Sequence, residues 1–219
     1  MENVMIVGAG FMGSGIAQVC AQTGFGVYLM DVNQEARNKA ISGIKWSLEK
    51  FASKGFLKES PQQVLERIAL VNDLKKAADA AWVIEAAFEE PALKERLFEQ
   101  LDRLVSADTP LATNTSSIPI TQLARVTKRP ERVLGLHFFG PVPFMGLVEV
   151  IKGEKTSDAV FNQGADFVKS LGKTPLKVYK DIPGFVMNRI FGAAFRECVD
   201  LVADGIASPE DIDIGMRLG

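Results

Sequence analysis

The stretch VMIVGAGFMGSGIAQ, at residues 4–18, most narrows what this chain can fold into. An apolar run meets three glycines, Gly8, Gly10 and Gly13, and the apolar residues then resume at helical spacing. A strand that turns straight into a helix needs three freedoms there. Gly8 permits the tight turn, Gly10 lets backbone approach a pyrophosphate, and Gly13 allows close helix–strand packing. The N–H groups at the helix start then face an anion. Phe11 and Met12 lie inside the same turn and count with the glycines as candidate cofactor-binding residues. A second apolar run, 27–30, ends at Asp31, whose carboxylate suits the hydroxyls of an adenosine ribose and repels a 2′-phosphate. No arginine follows it immediately, so the pattern predicts NAD over NADP.

Further Val- and Ile-rich runs at 68–71, 82–86, 111–113 and 134–138 read as strands. Helical periods at 13–22, 34–54, 93–105 and 158–171 separate most of them, with extra strands expected at 147–151 and 175–179. Alternation of this kind predicts an α/β, Rossmann-type, doubly wound and mostly parallel sheet with a βαβ-like extension. After Pro183 the pattern becomes all-α. A long apolar stretch covers 185–203, and SPEDIDIGM places Ser208 as N-cap, Pro209 at N1 and acids in the first turn. The expected division is a nucleotide-binding domain at 1–183 and the beginning of a helical domain at 184–219.

Composition closes off other classes. The chain has 219 residues, 47% of them hydrophobic and 24% charged, with a net charge of −2. That balance, without long runs of one sign, makes nucleic acid and anionic membrane poor partners. Cys20 and Cys198 form no metal or redox motif and fit a reducing compartment. A strand beginning almost at the first methionine leaves no room for a leader, so a cytoplasmic protein is expected.

His137 is the only histidine, set in the apolar run LHFFGPVPFMGLVEVIKG. Alone, it reads as easily as a core residue as a catalyst. Glu149 could face solvent beside Lys152, while Asn114 and Ser116, in TNTSSIPI, could make a turn and cap a short helix.

Six ordered segments, GAGFMGSGIAQ, VIEAAFEE, TNTSS, HFF followed by proline, LVEVI and PGFVMNR, resemble those of L-3-hydroxyacyl-CoA dehydrogenases, with the bacterial 3-hydroxybutyryl-CoA type most similar. The resemblance implies NAD as cofactor and an acyl-CoA as substrate. It implies His137 as general base, oriented by Glu149, and Ser116 and Asn188 bonded to the substrate oxygen. Cofactor contacts would include Asp31, Glu89, Lys94 and Asn114, and CoA contacts Ser47 and Lys54. It also implies further helices after residue 219 and dimerisation through the C-terminal helices, so the apolar face at 185–205 is expected to be exposed and to meet another chain. The chemistry is consistent: an imidazole takes a hydroxyl proton near neutral pH, and a carboxylate fixes its other nitrogen.

Two positions depart from the family pattern: Gly140 stands where asparagine usually follows HFF, and Gly146 where a lysine usually precedes LVEV. Weaker activity is expected from them. A 3-hydroxyacid or 6-phosphogluconate dehydrogenase would need a catalytic lysine in a glycine-rich helix motif, which is missing. A free-hydroxyacid dehydrogenase resembling λ-crystallin and the gulonate enzymes, or a nucleotide-binding protein without turnover, are the alternatives.

Overall fold

The computed structural model describes residues 2–219. Two units are present, Met1–Pro183 and Gly184–Gly219. The first is built on eight strands in the order β3-β2-β1-β4-β5-β6-β7-β8. They are β1 (Asn3–Val7), β2 (Gly26–Met30), β3 (Ile68–Val71), β4 (Trp82–Glu85), β5 (Leu111–Thr113), β6 (Val133–Phe138), β7 (Leu147–Lys152) and β8 (Thr174–Val178). The first six are parallel. Val4, Met5 and Ile6 of β1 are wholly buried, as are Val83 and Ile84 of β4. Strands covered on both faces have no reason to alternate apolar with polar, and continuous apolar runs result.

The helices of this unit are α1 (Phe11–Gln22), α2 (Gln34–Ser53), α3 (Pro61–Leu65), α4 (Pro91–Leu104), α5 (Ile120–Ala124) and α6 (Asp158–Ser170). Their starts follow side-chain chemistry. Asn33 accepts from the N–H groups of Glu35 and Ala36, Ser60 and Gln63 form a reciprocal capping box, and Ser157 caps α6. Phe167 of α6 stacks on Trp82 at 4.6 Å and meets Phe25 at 5.6 Å, packing the helix against the sheet. Helix α1 starts at Phe11, two residues before the periodicity suggests, because Gly10 serves as its N-cap. The short helix α3 was not expected from the pattern, whereas α5 is the short helix expected after TNTSSIPI.

The expected extension is present and holds the one reversal of direction. Strand β7 runs antiparallel to β6, then α6 returns the chain so that β8 pairs parallel with β7. An antiparallel neighbour needs only a loop, here 139–146, rather than a helical crossover.

The second unit consists of α7 (Met187–Ala203) and α8 (Pro209–Leu218). Ser208 caps α8 through the Asp211 N–H with Pro209 at N1, as the sequence predicts. The apolar stretch becomes helical only from Met187, after Gly184 and Phe185 take positive φ. Ile190, Phe191, Phe195 and Val199 of α7 are exposed. Among the described residues no helix is long and apolar enough to cross a membrane.

Candidate active site

The strand order reverses between β1 and β4, where an open α/β sheet offers a crevice beyond its carboxyl ends. The three glycines do three different things there. Gly8 has φ +112°, and a Cβ on it would lie 2.5 Å from the Ala86 carbonyl oxygen. At Gly13 a Cβ would lie 1.8 Å from the Gly8 carbonyl oxygen, so only glycine lets α1 sit this close to the turn. Around Gly10 a Cβ would meet nothing within 4 Å, which leaves open space beside the backbone. No side chain caps α1 and no acid sits in its first turn, so its leading N–H groups suit a diphosphate. Phe11, at 69% exposure, and Met12 open this helix at the mouth of the turn.

Asp31 follows β2 and closes the turn from the other side. One carboxylate oxygen accepts from the Ala9 N–H at 2.9 Å, the other from the Asn33 N–H at 2.9 Å. The Arg37 guanidinium holds the Asp31 carbonyl. With each oxygen keeping a further lone-pair site, the carboxylate can still receive ribose hydroxyls. Open backbone at Gly10, an uncapped helix start and this fixed carboxylate together fit a dinucleotide.

Beyond β4 lies a buried charge network that sequence reasoning missed in part. Glu85 is wholly buried; one oxygen accepts from the Lys94 ammonium at 2.6 Å and the Ala87 N–H at 2.6 Å, the other from the Thr113 hydroxyl at 2.7 Å. Lys94 is 1% exposed and also reaches the Ala87 carbonyl at 3.2 Å and Glu89 at 3.3 Å. The expectation for Lys94 was a cofactor contact. In the structure its ammonium is held by protein acceptors, Glu85, the Ala87 carbonyl and Glu89. Glu89 in turn binds the Thr115 hydroxyl at 2.5 Å, the Ser116 N–H at 2.9 Å and the Ser117 hydroxyl at 3.0 Å. Burial pushes the Glu89 carboxyl up, but the Thr115 hydroxyl, the Lys94 ammonium, the Ser116 N–H and the Ser117 hydroxyl together hold it below the ordinary carboxylate value. Glu89 therefore shapes the turn that presents Ser116.

His137 lies in β6 directly opposite Glu149 in β7. Its Nδ1 is 2.7 Å from Glu149 Oε2, with His137 6% exposed and Glu149 wholly buried. A buried carboxylate beside an imidazole orders the ring and selects the tautomer in which Nδ1 carries the proton. The Phe139 ring packs against it at 4.7 Å. The possibility that Glu149 faces solvent beside Lys152 is thereby overturned; Lys152 pairs with Asp158. Asn114 is brought in as well: its Oδ1 accepts the Phe138 N–H at 2.9 Å, fastening the loop after β5 to the strand that bears His137.

Ser47 and Lys54 sit on and just past the second half of α2, Ser47 half-buried and Lys54 exposed as C-cap. Asn188 stands in the first turn of α7, in the second unit. The two departures differ physically. A Cβ at Gly140 would be 2.6 Å from the Phe11 ring, whereas one at Gly146 would meet nothing within 4 Å. Missed residues include Glu85, Thr115 and Gly15, whose Cβ would fall 2.8 Å from the Val142 Cβ. Only the acid density of VIEAAFEE hinted at the first.

Known proteins match this arrangement along the whole chain. Residues 3–182 match the 3-hydroxyacyl-CoA dehydrogenase, NAD binding domain, and residues 184–219 the 3-hydroxyacyl-CoA dehydrogenase, C-terminal domain. A relative from Deinococcus radiodurans, named "Probable 3-hydroxybutyryl-CoA dehydrogenase", is 46% identical over 214 residues, covering 98% of this chain and 77% of its own. The 3-hydroxybutyryl-CoA dehydrogenase of Clostridioides difficile is 42% identical over 218 residues, covering 99% and 77%. The crystal structure of (S)-3-hydroxybutyryl-CoA dehydrogenase from Ralstonia eutropha superposes with a TM-score of 0.94 at 43% identity, covering 100% of this chain and 77% of that one. With a glycine turn, a carboxylate closing it and a paired imidazole on one sheet, and both domain models matched in order, the chain belongs to the 3-hydroxyacyl-CoA dehydrogenase family.

Proposed function

We propose that the protein catalyses the reversible, NAD-dependent oxidation of a short-chain L-3-hydroxyacyl-CoA, such as 3-hydroxybutyryl-CoA, to the 3-ketoacyl-CoA. The observation that carries this reading is the buried His137–Glu149 pair, 2.7 Å apart, on the sheet that also carries the dinucleotide turn. His137 takes the proton of the substrate hydroxyl on its outer nitrogen, as general base. Glu149 receives the Nδ1 proton's hydrogen bond and balances the imidazolium, as the acid of a triad does without any covalent nucleophile. NAD, when bound, supplies the acceptor for the hydride that leaves C3. Ser116, held by Glu89, offers its hydroxyl to the substrate oxygen, and Ser47 and Lys54 meet the CoA portion. Asp31, Asn114, Glu89 and, through Glu89, Lys94 serve the cofactor side.

The test is direct. Protein mixed with NADH and acetoacetyl-CoA should consume the reduced nicotinamide's absorbance. NADH binding without oxidation would instead favour a nucleotide-binding protein without turnover, and oxidation only with a free keto acid would favour a hydroxyacid dehydrogenase.

Two expectations accompany this reading. Gly140→Asn should raise kcat/KM by about threefold to tenfold, the worth of one regained hydrogen bond. The Phe11 ring must swing aside for it, which is cheap for a side chain 69% exposed. Unchanged turnover removes that explanation of the departure. Second, the exposed apolar face of α7 pairs two copies of the chain; a monodisperse monomer by sizing with light scattering contradicts it.

A further inference from the structure

One buried charge in the first unit plays no part in the chemistry above. Lys173, 9% exposed, lies between α6 and β8 and turns inward. Its ammonium donates to the Val142 carbonyl at 2.7 Å and the Met145 carbonyl at 2.6 Å. Burial lowers its pKa, and the neighbouring Cys20 thiol, itself pushed up to about 12 by burial, adds no thiolate near neutral pH. Sequestering an ammonium is costly unless it makes good hydrogen bonds, and here its acceptors are both main-chain carbonyls of one loop. That loop, 139–146, joins the strand of His137 to the strand of Glu149. The Thr174 N–H fixes its other end, donating to the Gly146 carbonyl at 2.7 Å.

What the grip presents is an aromatic surface. Phe144, between the two gripped carbonyls, is 65% exposed, yet its ring packs against Phe51 of α2 at 4.9 Å. Ser47, Phe51 and Lys54 are spaced by four and three residues, so they share one side of the helix. Phe51 therefore sits between the two proposed CoA contacts, and Phe144 extends that side toward the loop that follows His137.

We propose that Lys173 is a positioning residue for the acyl-CoA side of the reaction: by gripping the loop at Val142 and Met145 it holds Phe144 against Phe51 and builds an aromatic shelf for the substrate. This rests on the function proposed above. The shelf adds Phe51 and Phe144 to the substrate surface. Lys173 acts on it only through the loop.

The experiment is steady-state kinetics with acetoacetyl-CoA and NADH on the full chain carrying Lys173→Met, which keeps the length of the side chain and removes the donor. KM for acetoacetyl-CoA should rise about tenfold while KM for NADH stays within about twofold, because only substrate positioning is disturbed. Lys173→Arg, which keeps donors at that depth, should recover part of the loss. A merely structural lysine would move both constants together or neither, and either result overturns the proposal. Should Lys173→Met fail to fold, Phe144→Ala at the surface must show the same split, and its absence overturns the shelf. Wild-type protein that binds NADH but never oxidises it with acetoacetyl-CoA overturns the proposed function and this inference with it. Wild-type turnover with no split in the variants overturns this inference alone.

Discussion

His137→Gln is expected to lower kcat with acetoacetyl-CoA by about 10²–10⁴-fold, the usual worth of a positioned general acid–base. Glutamine is the informative substitution because its amide can still donate to Glu149, which is wholly buried. An apolar replacement would leave that carboxylate without its imidazole and confuse lost chemistry with lost stability. NADH affinity should be retained, since the glycine turn and Asp31 lie at the other side of the site. Glu149→Gln should cost a comparable factor by a different route, because a carboxamide no longer favours the tautomer with a proton on Nδ1. A folded His137→Gln protein with kcat within about tenfold of wild type would show that the proton goes elsewhere.

The second large effect separates two glycines of one motif. Gly13→Ala should destabilise the fold by about 3 kcal/mol or more, because its methyl would fall 1.8 Å from a backbone oxygen that no rotamer can move. For a chain of this size that lowers Tm by roughly 6–12 °C. Gly10→Ala should leave Tm within about 2 °C of wild type, since its backbone is extended and the methyl meets nothing within 4 Å. NADH affinity should nevertheless fall, by about tenfold or more, because the open space beside Gly10 is where the diphosphate would approach. Thermal melts with and without NADH distinguish the two. The assignment of these roles fails if Gly10→Ala melts early or binds NADH normally.

Much of this was legible in the residues, for physical reasons that also mark the boundary. The parallel strands were readable because both faces are buried, leaving apolar runs such as 4–7 and 82–84 with no alternation to confuse. The turn was readable because steric demands at Gly8 and Gly13 admit one residue type. The short helices α3 and α5 span too few residues to show a 3.6-residue period. His137 was ambiguous in isolation, since an apolar run conveys burial but not what stands on the next strand. Its pairing depends on the register across the 139–146 loop, which no local pattern encodes. Lys173 in LGKTP reads as an ordinary surface lysine, and Lys94 as one of several helix charges. Their burial is decided by tertiary packing alone. The charge network through Glu85 was hidden likewise, because a buried acid and a solvated one look the same in sequence.

The strand order also works as a ruler. The glycine turn rides on the end of β1 and the imidazole on β6, with only β4 and β5 between them. Three inter-strand steps of about 4.8 Å set roughly 14 Å between the two features across the sheet. Hydrogen-bonded ladders are stiff, so neither a loop movement nor a rotamer change can lengthen that span. Adaptation to a longer or shorter acyl group must therefore happen in parts that do not measure it, and the loop between β6 and β7 is one of these. The spacing between the glycine turn and the proposed proton acceptor is inherited from the sheet itself.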